Sequence, residues 1–220
     1  MESLKIRQKC EDMIRYGYIC LRQFPKSEKF TLAADIKRAM MRLPAVARLQ
    51  RFMRKLRRNY DNFYVLKADI SQYFPSINHS ILMNIIQRTI RCKDTLWLIE
   101  TIVSQTDQGL PIGALTSQLF ANVYLNELDH HIKDQLGVKY YMRYMDDFVI
   151  THPDKKYLKR LLCDIQDFLT TKLALRLNPK TRIYPYTHGV DFAGYRFITH
   201  YPTIKQKKTR KIVNRCFGIL

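Results

Sequence analysis

The stretch that decides the fold is Tyr140-Tyr-Met-Arg-Tyr-Met-Asp-Asp-Phe-Val-Ile150, in which aromatic and β-branched residues flank a pair of acids. Such residues predict a β-strand on each side of the pair. Asp146 and Asp147 are poor strand residues but good turn residues, so we expect them at the tip of a β-hairpin. The segment therefore predicts two antiparallel strands that present two carboxylates at their turn.

A second apolar segment also ends in a carboxylate. Phe63-Tyr-Val-Leu-Lys-Ala-Asp69 is rich in aromatic and β-branched residues, which predicts a strand that ends at Asp69. Apolar residues at spacings of three and four predict helices over residues 78–103, 115–136 and 158–169, and further strands are predicted over 175–184 and 190–197. The order β-α-α-β-β-α-β predicts an α+β fold, in which helices cover one face of an antiparallel sheet.

The N-terminal part is predicted to be helical instead. Apolar spacing over residues 4–24, and from Thr31 to Pro44, predicts two helices that form a hairpin. Residues 45–59 predict a further, basic helix. We therefore expect three parts, a helical hairpin over 1–44, a sheet domain over 45–200 and a basic tail over 201–220.

The composition excludes several classes of protein. Of the 220 residues, 46% are hydrophobic and 26% are charged, which is typical of a globular protein rather than a disordered chain. The apolar runs are too short for a membrane span and the N-terminus lacks the apolar stretch of a signal peptide, so we expect a cytoplasmic protein without a membrane partner. The five cysteines are scattered, which indicates neither a zinc site nor a disulfide framework.

The net charge is strongly positive, because 38 Lys and Arg residues face 19 Asp and Glu residues, which gives +19. Two blocks contain no acid at all: residues 36–60 hold nine basic residues, and residues 192–220 hold seven. Basic blocks beside a mixed-charge core are typical of proteins that bind a phosphate backbone. A solvated basic face or a membrane-surface patch would leave the same pattern, and the charge does not distinguish RNA from DNA.

Three carboxylates, Asp69, Asp146 and Asp147, stand in apolar surroundings, where a charge is costly unless a cation neutralises it. Oxygen ligands without His or Cys favour Mg²⁺, or Mn²⁺, over zinc. Because side chains alternate along a strand, we expect Asp69 and Asp146 to be the primary ligand pair and Asp147 the supporting ligand. Two such ions would activate a hydroxyl and stabilise the leaving oxygens in a displacement at phosphorus. An ordinary hairpin turn and a helix cap would explain the same acids without a metal.

Four motifs, taken in order, resemble those of a reverse transcriptase. Tyr144-Met-Asp-Asp147 resembles the YxDD motif of the polymerase palm, and Lys67-Ala-Asp-Ile-Ser-Gln-Tyr-Phe74 resembles the other catalytic palm motif. Leu175-Arg-Leu-Asn-Pro-Lys-Thr181 and Val190-Asp-Phe-Ala-Gly-Tyr195 resemble two later motifs, and the likeness covers roughly residues 45–215. The resemblance implies a palm fold and an RNA-directed DNA polymerase that adds dNTPs to a DNA or RNA primer on an RNA template.

One segment resembles a particular subgroup. Ile112-Gly-Ala-Leu-Thr-Ser-Gln118 is similar to the corresponding segment in the enzymes of diversity-generating retroelements, and it argues against the group II intron type. Residues 1–43 resemble the first helical hairpin of the accessory variability protein of these retroelements. The resemblance therefore implies this accessory protein as a further partner.

The resemblance also implies roles for individual residues. Asp69, Asp146 and Asp147, with Ile70 beside them, would hold two Mg²⁺ ions, and Mn²⁺ would serve as a substitute. Phe74 would pack under the sugar and exclude a 2′-hydroxyl, and Lys180 would act on the pyrophosphate leaving group. The nucleotide-binding residues implied are Ile70, Tyr73, Phe74, Gly113 and Gln118. Tyr73, Tyr141 and Arg143 would contact template or primer, although packing inside the fold explains these three residues equally well.

The family's fingers motifs are not found ahead of Asp69, and the helical thumb is expected to be largely missing after Lys211. We therefore expect weak activity from this chain alone, since positioning of the reactants contributes about 7–11 kcal/mol to such reactions. The alternative hypothesis is a palm that has kept its fold and only binds RNA or a partner.

Overall fold

The computed structural model describes residues 32–111, 115–197 and 204–206. Its centre is a four-stranded antiparallel sheet with the order β2-β3-β1-β4. The strands of this sheet are β1 (Tyr64–Ala68), β2 (Tyr141–Tyr144), β3 (Asp147–His152) and β4 (Arg182–Pro185). A second sheet is formed by β5 (Val190–Phe192), β6 (Tyr195–Phe197) and β7 (Ile204–Gln206), again all antiparallel. The predicted mixed fold around an antiparallel sheet is confirmed.

One helix precedes the central sheet and five helices lie between its strands in the described part of the chain. They are α1 (Leu32–Asn59), α2 (Tyr73–Ser76), α3 (His79–Gln87), α4 (Lys93–Val103), α5 (Leu115–His130) and α6 (Lys155–Leu173). A π-helical turn over His131–Gln135 extends α5, so the long helix predicted to stop at Gly137 is confirmed. Asn78 caps α3 and Asp154 caps α6, because each side chain accepts a hydrogen bond from a backbone amide of the first turn.

The alternation of strand residues divides the core between the two faces of the sheet. Leu66 and Ala68 of β1, with Phe148 and Ile150 of β3, are buried against α3, α5 and α6. Val65 and Val149 point to the opposite face and are buried in a second cluster. Both faces are therefore packed, which holds the ends of β1 and β3 in a fixed register.

The second cluster corrects the expectation that helices cover only one face. The other face is covered by the C-terminal half of α1 and by residues of β5 and β6. The buried residues of α1 recur at spacings of three and four: Val46, Leu49, Met53 and Leu56. The basic residues of this half are exposed on the opposite side of the helix, where they form a basic face that consists of Arg48, Arg51, Arg54, Lys55, Arg57 and Arg58.

Three predicted element boundaries were wrong. The helix expected to end at Pro44 continues to Asn59, because the buried stripe that begins at Val46 stabilises it beyond the proline. The helix predicted over residues 78–103 is interrupted between α3 and α4. The strand predicted over 175–184 begins only at Arg182, because a turn in which Thr181 donates to the Asn178 carbonyl at 2.9 Å precedes it.

Some predictions fall on residues that the structure does not describe. The first helix of the N-terminal hairpin, Ile112 and Gly113, and most of the basic tail lie outside the described residues. The division into parts at residue 44 stays a prediction. Among the described residues, every helix is too short or too polar to cross a membrane.

Gly109 is expected to tolerate no side chain. Its φ is +71°, and an added Cβ would lie 2.5 Å from both the Phe74 carbonyl oxygen and the Pro75 Cα. We predict that Gly109→Ala lowers the free energy of unfolding by more than about 1 kcal/mol, measured by urea denaturation. Gly137→Ala is the matched control, because Gly137 has a φ of +64° but nothing within 4 Å of the added carbon. An equal loss in both variants would show that the contact with α2 is unimportant.

Candidate active site

The acidic pair lies at a tight hairpin turn between β2 and β3, as predicted. Tyr144 and Asp147 are the last paired residues of the two strands, so Met145 and Asp146 form the turn. Met145 has a φ of 57°, in the left-handed region that residues other than glycine seldom adopt. Asp146 therefore belongs to the turn, whereas Asp147 is the first residue of β3.

Asp69 emerges beside this turn because β1 and β3 are paired. Ala68 lies opposite Phe148, so the next residue along β1 reaches the level of Asp147. Asn178 anchors the position: its backbone amide donates to the Asp69 carbonyl at 2.7 Å, and its side-chain nitrogen lies 3.4 Å from Asp69 Oδ2. The sheet thus places the three acids that the sequence singled out at the same end of β1 and the β2–β3 hairpin. Sequence reasoning missed Asn178, although it belongs to the motif that contains Lys180.

The three carboxylates interact electrostatically. Burial raises the pKa of Asp146, and the negative charge of Asp69 raises it further. Burial also raises the pKa of Asp147 to about 6, with smaller contributions in the same direction from Asp69 and Asp146 and an opposing one from Lys67. A bound cation would offset both the burial of Asp146 and Asp147 and the repulsion that Asp69 adds.

Lys67 supplies a positive charge that was not predicted as part of the site. Its Nζ lies 3.1 Å from Asp147 Oδ2 and donates to the Asp191 backbone carbonyl at 2.6 Å. The signal was present in the sequence, since Lys67 is a charged residue within an apolar strand and lies on the same face as Asp69.

The donor set agrees with a hard divalent cation. It consists of carboxylate oxygens, and Asp147 Oδ1 is buried and has no hydrogen-bond partner among the described residues. Within the ranges that the structure covers, however, no three His, Cys, Asp or Glu side chains are close enough together to hold a metal ion as they stand. The chemistry of the residues therefore fits a metal, while binding would have to draw the side chains closer together.

The residues expected to bind nucleotide are found in different environments. Ile70 and Tyr73 are 2% and 3% exposed, and the Tyr73 hydroxyl donates to the Ala121 carbonyl, so both side chains pack inside the fold. Phe74 is half-buried and packs edge-to-face on Tyr73, with ring centres 5.6 Å apart. Gln118 is half-buried on α5, and Lys180 is exposed two residues before the start of β4. Their roles toward a nucleotide stay predictions.

Two residues for which the sequence allowed either contact with nucleic acid or packing inside the fold form hydrogen bonds within the protein. Tyr141 is buried and Arg143 is nearly so, and both bind the Asp129 carboxylate of α5. Burial alone would raise the pKa of Asp129, but the Arg143 guanidinium and the Tyr141 hydroxyl hold it below its usual value. Asp129 is therefore an ionised partner of Arg143 next to the site.

A family model described as "Reverse transcriptase (RNA-dependent DNA polymerase)" matches residues 21–197. Protein YkfC of Escherichia coli (strain K12) is 27% identical, over 61% of this chain and 47% of that protein. The retron Ec73 reverse transcriptase of Escherichia coli is 33% identical, over 46% of this chain and 36% of that protein. The chain thus spans less than half the length of these two relatives.

The fold is also similar to a solved structure. Telomerase from Candida albicans, in complex with the TWJ fragment of telomeric RNA, superimposes with a TM-score of 0.58 at 13% sequence identity. The superposition covers 73% of this chain and 34% of the telomerase chain. At this identity the likeness concerns the fold alone.

Proposed function

The chain belongs to the reverse transcriptase (RNA-dependent DNA polymerase) family, and from this premise we propose that it is a template-directed polymerase that adds dNTPs to a primer end on RNA. The observation that supports the proposal is the convergence of Asp69 with the Asp146–Asp147 turn at one end of a doubly packed sheet. Buried carboxylates that repel one another are costly, and such sites are typical of catalytic centres.

The proposed catalytic groups are Asp69, Asp146 and Asp147, which would hold two Mg²⁺ ions, with Mn²⁺ as a substitute. When bound, the ions would supply activation of the primer hydroxyl and stabilisation of the leaving oxygens. The protein itself orients the carboxylates: the register of β1 and β3 aligns them, and Lys67 holds Asp147 in place. Lys180 is exposed to solvent, and its ammonium group would donate a proton to the pyrophosphate or neutralise its charge.

The proposed nucleotide site lies between the carboxylates, α2 and the start of α5. The half-buried Phe74 ring would lie under the sugar and leave a 2′-hydroxyl without a partner. Gln118 and Gly113 would contact the templating base pair. Tyr73 would support the nucleotide site indirectly, because its ring packs on Phe74. Ile70 would contact the nucleotide or the metal through its backbone, since its side chain is buried.

We assign the chain to the diversity-generating retroelement type as the finer proposal, on the Ile112–Gln118 segment. Its partner would then be the accessory variability protein, which residues 1–43 resemble. Sequencing of the neighbouring DNA tests this: an accessory gene and a template repeat would support the assignment, whereas the borders of a self-splicing intron would favour the group II type.

Primer extension tests the activity directly. The purified chain, an RNA template, a DNA primer, Mg²⁺ and single dNTPs are mixed, and one-nucleotide addition is measured. We expect addition of the complementary dNTP, with addition of the matching ribonucleotide weaker by about tenfold or more. Addition without regard to the template base would contradict the proposal.

A palm that only binds RNA is the second candidate function. The observation that favours it is the basic face of α1, which is exposed to solvent on the side of the helix away from the sheet. Such a basic face can bind the phosphates of RNA even if the protein catalyses no reaction. RNA binding with no one-nucleotide addition in the experiment above would support this candidate.

RNA binding is expected to depend steeply on salt, because each phosphate contact releases counterions. We predict that Arg51→Ala and Arg54→Ala, in the basic face of α1, each reduce the slope of log Kd against log salt by about one. Lys159→Ala and Arg160→Ala, at exposed positions of α6, are the matched controls and should leave it unchanged. A flat salt dependence in the unmodified chain would contradict the phosphate-binding role of α1.

A further inference from the structure

Arg143 lies at the centre of a hydrogen-bond network that joins α5 to the turn bearing Asp146. Its guanidinium donates to both carboxylate oxygens of Asp129, from Nε to Oδ1 at 2.9 Å and from Nη2 to Oδ2 at 2.6 Å. Nη1 donates to the Met145 carbonyl at 2.9 Å and to Asn122 Oδ1 at 3.2 Å. The side chain is only 10% exposed, so these partners rather than solvent satisfy the guanidinium.

The bond to Met145 restrains the least favourable backbone of the hairpin. A left-handed conformation at a residue other than glycine is disfavoured, and it persists only where the surroundings impose it. Met145 directly precedes Asp146, so the orientation of its peptide group determines where the Asp146 carboxylate points. The Arg143 guanidinium holds this carbonyl from outside the turn.

The other end of the network lies on α5, which packs one face against the core. Asp129 also accepts a hydrogen bond from the Tyr141 hydroxyl at 2.6 Å, which fixes its carboxylate from a second direction. Asn122, about two turns nearer the start of α5 than Asp129, donates to the Gln118 carbonyl at 3.0 Å. The network therefore runs from the turn that carries Asp146 to the helical segment that carries Gln118.

We propose that Arg143 is a positioning residue for Asp146: it clamps the left-handed turn at Met145 to α5 and so sets the direction of the carboxylate. The inference rests on the proposed function, in which Asp146 is a catalytic group. The planar fork of arginine is required for this, because one flat group must reach Asp129 twice and the Met145 carbonyl at the same time. A lysine ammonium keeps the charge but cannot match this geometry.

The test compares Arg143→Lys with the unmodified chain in two measurements, one-nucleotide addition and hydrogen exchange of the backbone amides of residues 144–147. We expect kcat to fall about a hundredfold, with the KM for the dNTP and the Kd for RNA changed less than about twofold. Exchange at the turn should increase while exchange in β1 and α6 stays the same. Arg88→Lys is the matched control. Arg88 also pairs with an acid of α5, Glu127, at 2.9 Å, but its side chain is 66% exposed.

Two outcomes would overturn the proposal: an unchanged kcat in Arg143→Lys, or a rise in KM and RNA Kd without faster exchange at the turn. If Arg143→Lys fails to fold, Asn122→Ala is the second test. It removes one acceptor of the guanidinium and the contact of the Asn122 amide with Met145 Sδ at 3.6 Å, and it leaves the pair between Arg143 and Asp129 intact. A severalfold loss of kcat together with faster exchange at the turn would then support the clamp, and no change in either would refute it. If the unmodified chain adds no nucleotide, the proposed function fails, and the exchange data alone decide whether Arg143 holds the turn.

Discussion

Asp146→Asn should reduce one-nucleotide addition by about a thousandfold or more while leaving RNA binding intact. Asp146 lies in the hairpin turn next to Asp69 and Asp147, where a carboxylate is the group that would bind cations and support the charge of the reaction. The asparagine side chain has nearly the same shape as the aspartate side chain but carries no charge. Because burial already disfavours the charged form of Asp146, the substitution should not lower the melting temperature.

The matched control for this experiment is Asp164→Asn. Asp164 is exposed on α6, and its substitution should leave addition and RNA binding unchanged. The RNA Kd of Asp146→Asn, measured by fluorescence anisotropy, should lie within about twofold of the unmodified value, since the basic face of α1 is untouched. Nucleotide addition that survives in Asp146→Asn would remove this residue from the catalytic machinery.

Phe148→Ala is expected to have the largest effect on stability. Phe148 is fully buried on β3, lies opposite Ala68, and makes an edge-to-face contact with Tyr141 at 6.0 Å between ring centres. Removal of a buried Phe side chain costs about 3–5 kcal/mol, through lost burial and the cavity that remains. We expect urea denaturation to show this loss in the free energy of unfolding.

Leu98→Ala provides the comparison, because Leu98 lies on α4 with its side chain 52% exposed. Its effect should stay within about 0.5 kcal/mol. Equal effects of the two substitutions would mean that the face of the sheet beside the carboxylates is not a packed core, and the register argument for the site would lose its support.

The sequence predicted those features of the site that depend on local patterns. The hairpin turn at Asp146 follows from turn residues between two apolar strands, and the end of β1 at Asp69 follows from the change from apolar to acidic residues. The sequence left Tyr73 open between interior packing and contact with nucleic acid, because an aromatic residue suits a core and a stacking site equally well, and the structure buries it.

The features that were missed depend on contacts between distant parts of the chain. Lys67 meets the Asp191 carbonyl across 124 positions of sequence, and Asn178 meets Asp69 across 109. No local pattern specifies such pairs, since they arise only after the sheet order β2-β3-β1-β4 is set. The continuation of α1 past Pro44 has the same origin, because tertiary burial of the stripe from Val46 overrides the local preference for a helix end.

The convergence of three carboxylates on one cation site is tested most directly by Mn²⁺ titration followed by electron paramagnetic resonance. The purified chain is compared with Asp69→Asn, Asp146→Asn, Asp147→Asn and the Asp164→Asn control. We predict that each of the first three substitutions weakens Mn²⁺ binding by about tenfold or more, whereas the control binds as the unmodified chain does. Unchanged Mn²⁺ affinity in Asp69→Asn would contradict the account, because the residue at the end of β1 would then share no ion with the hairpin turn.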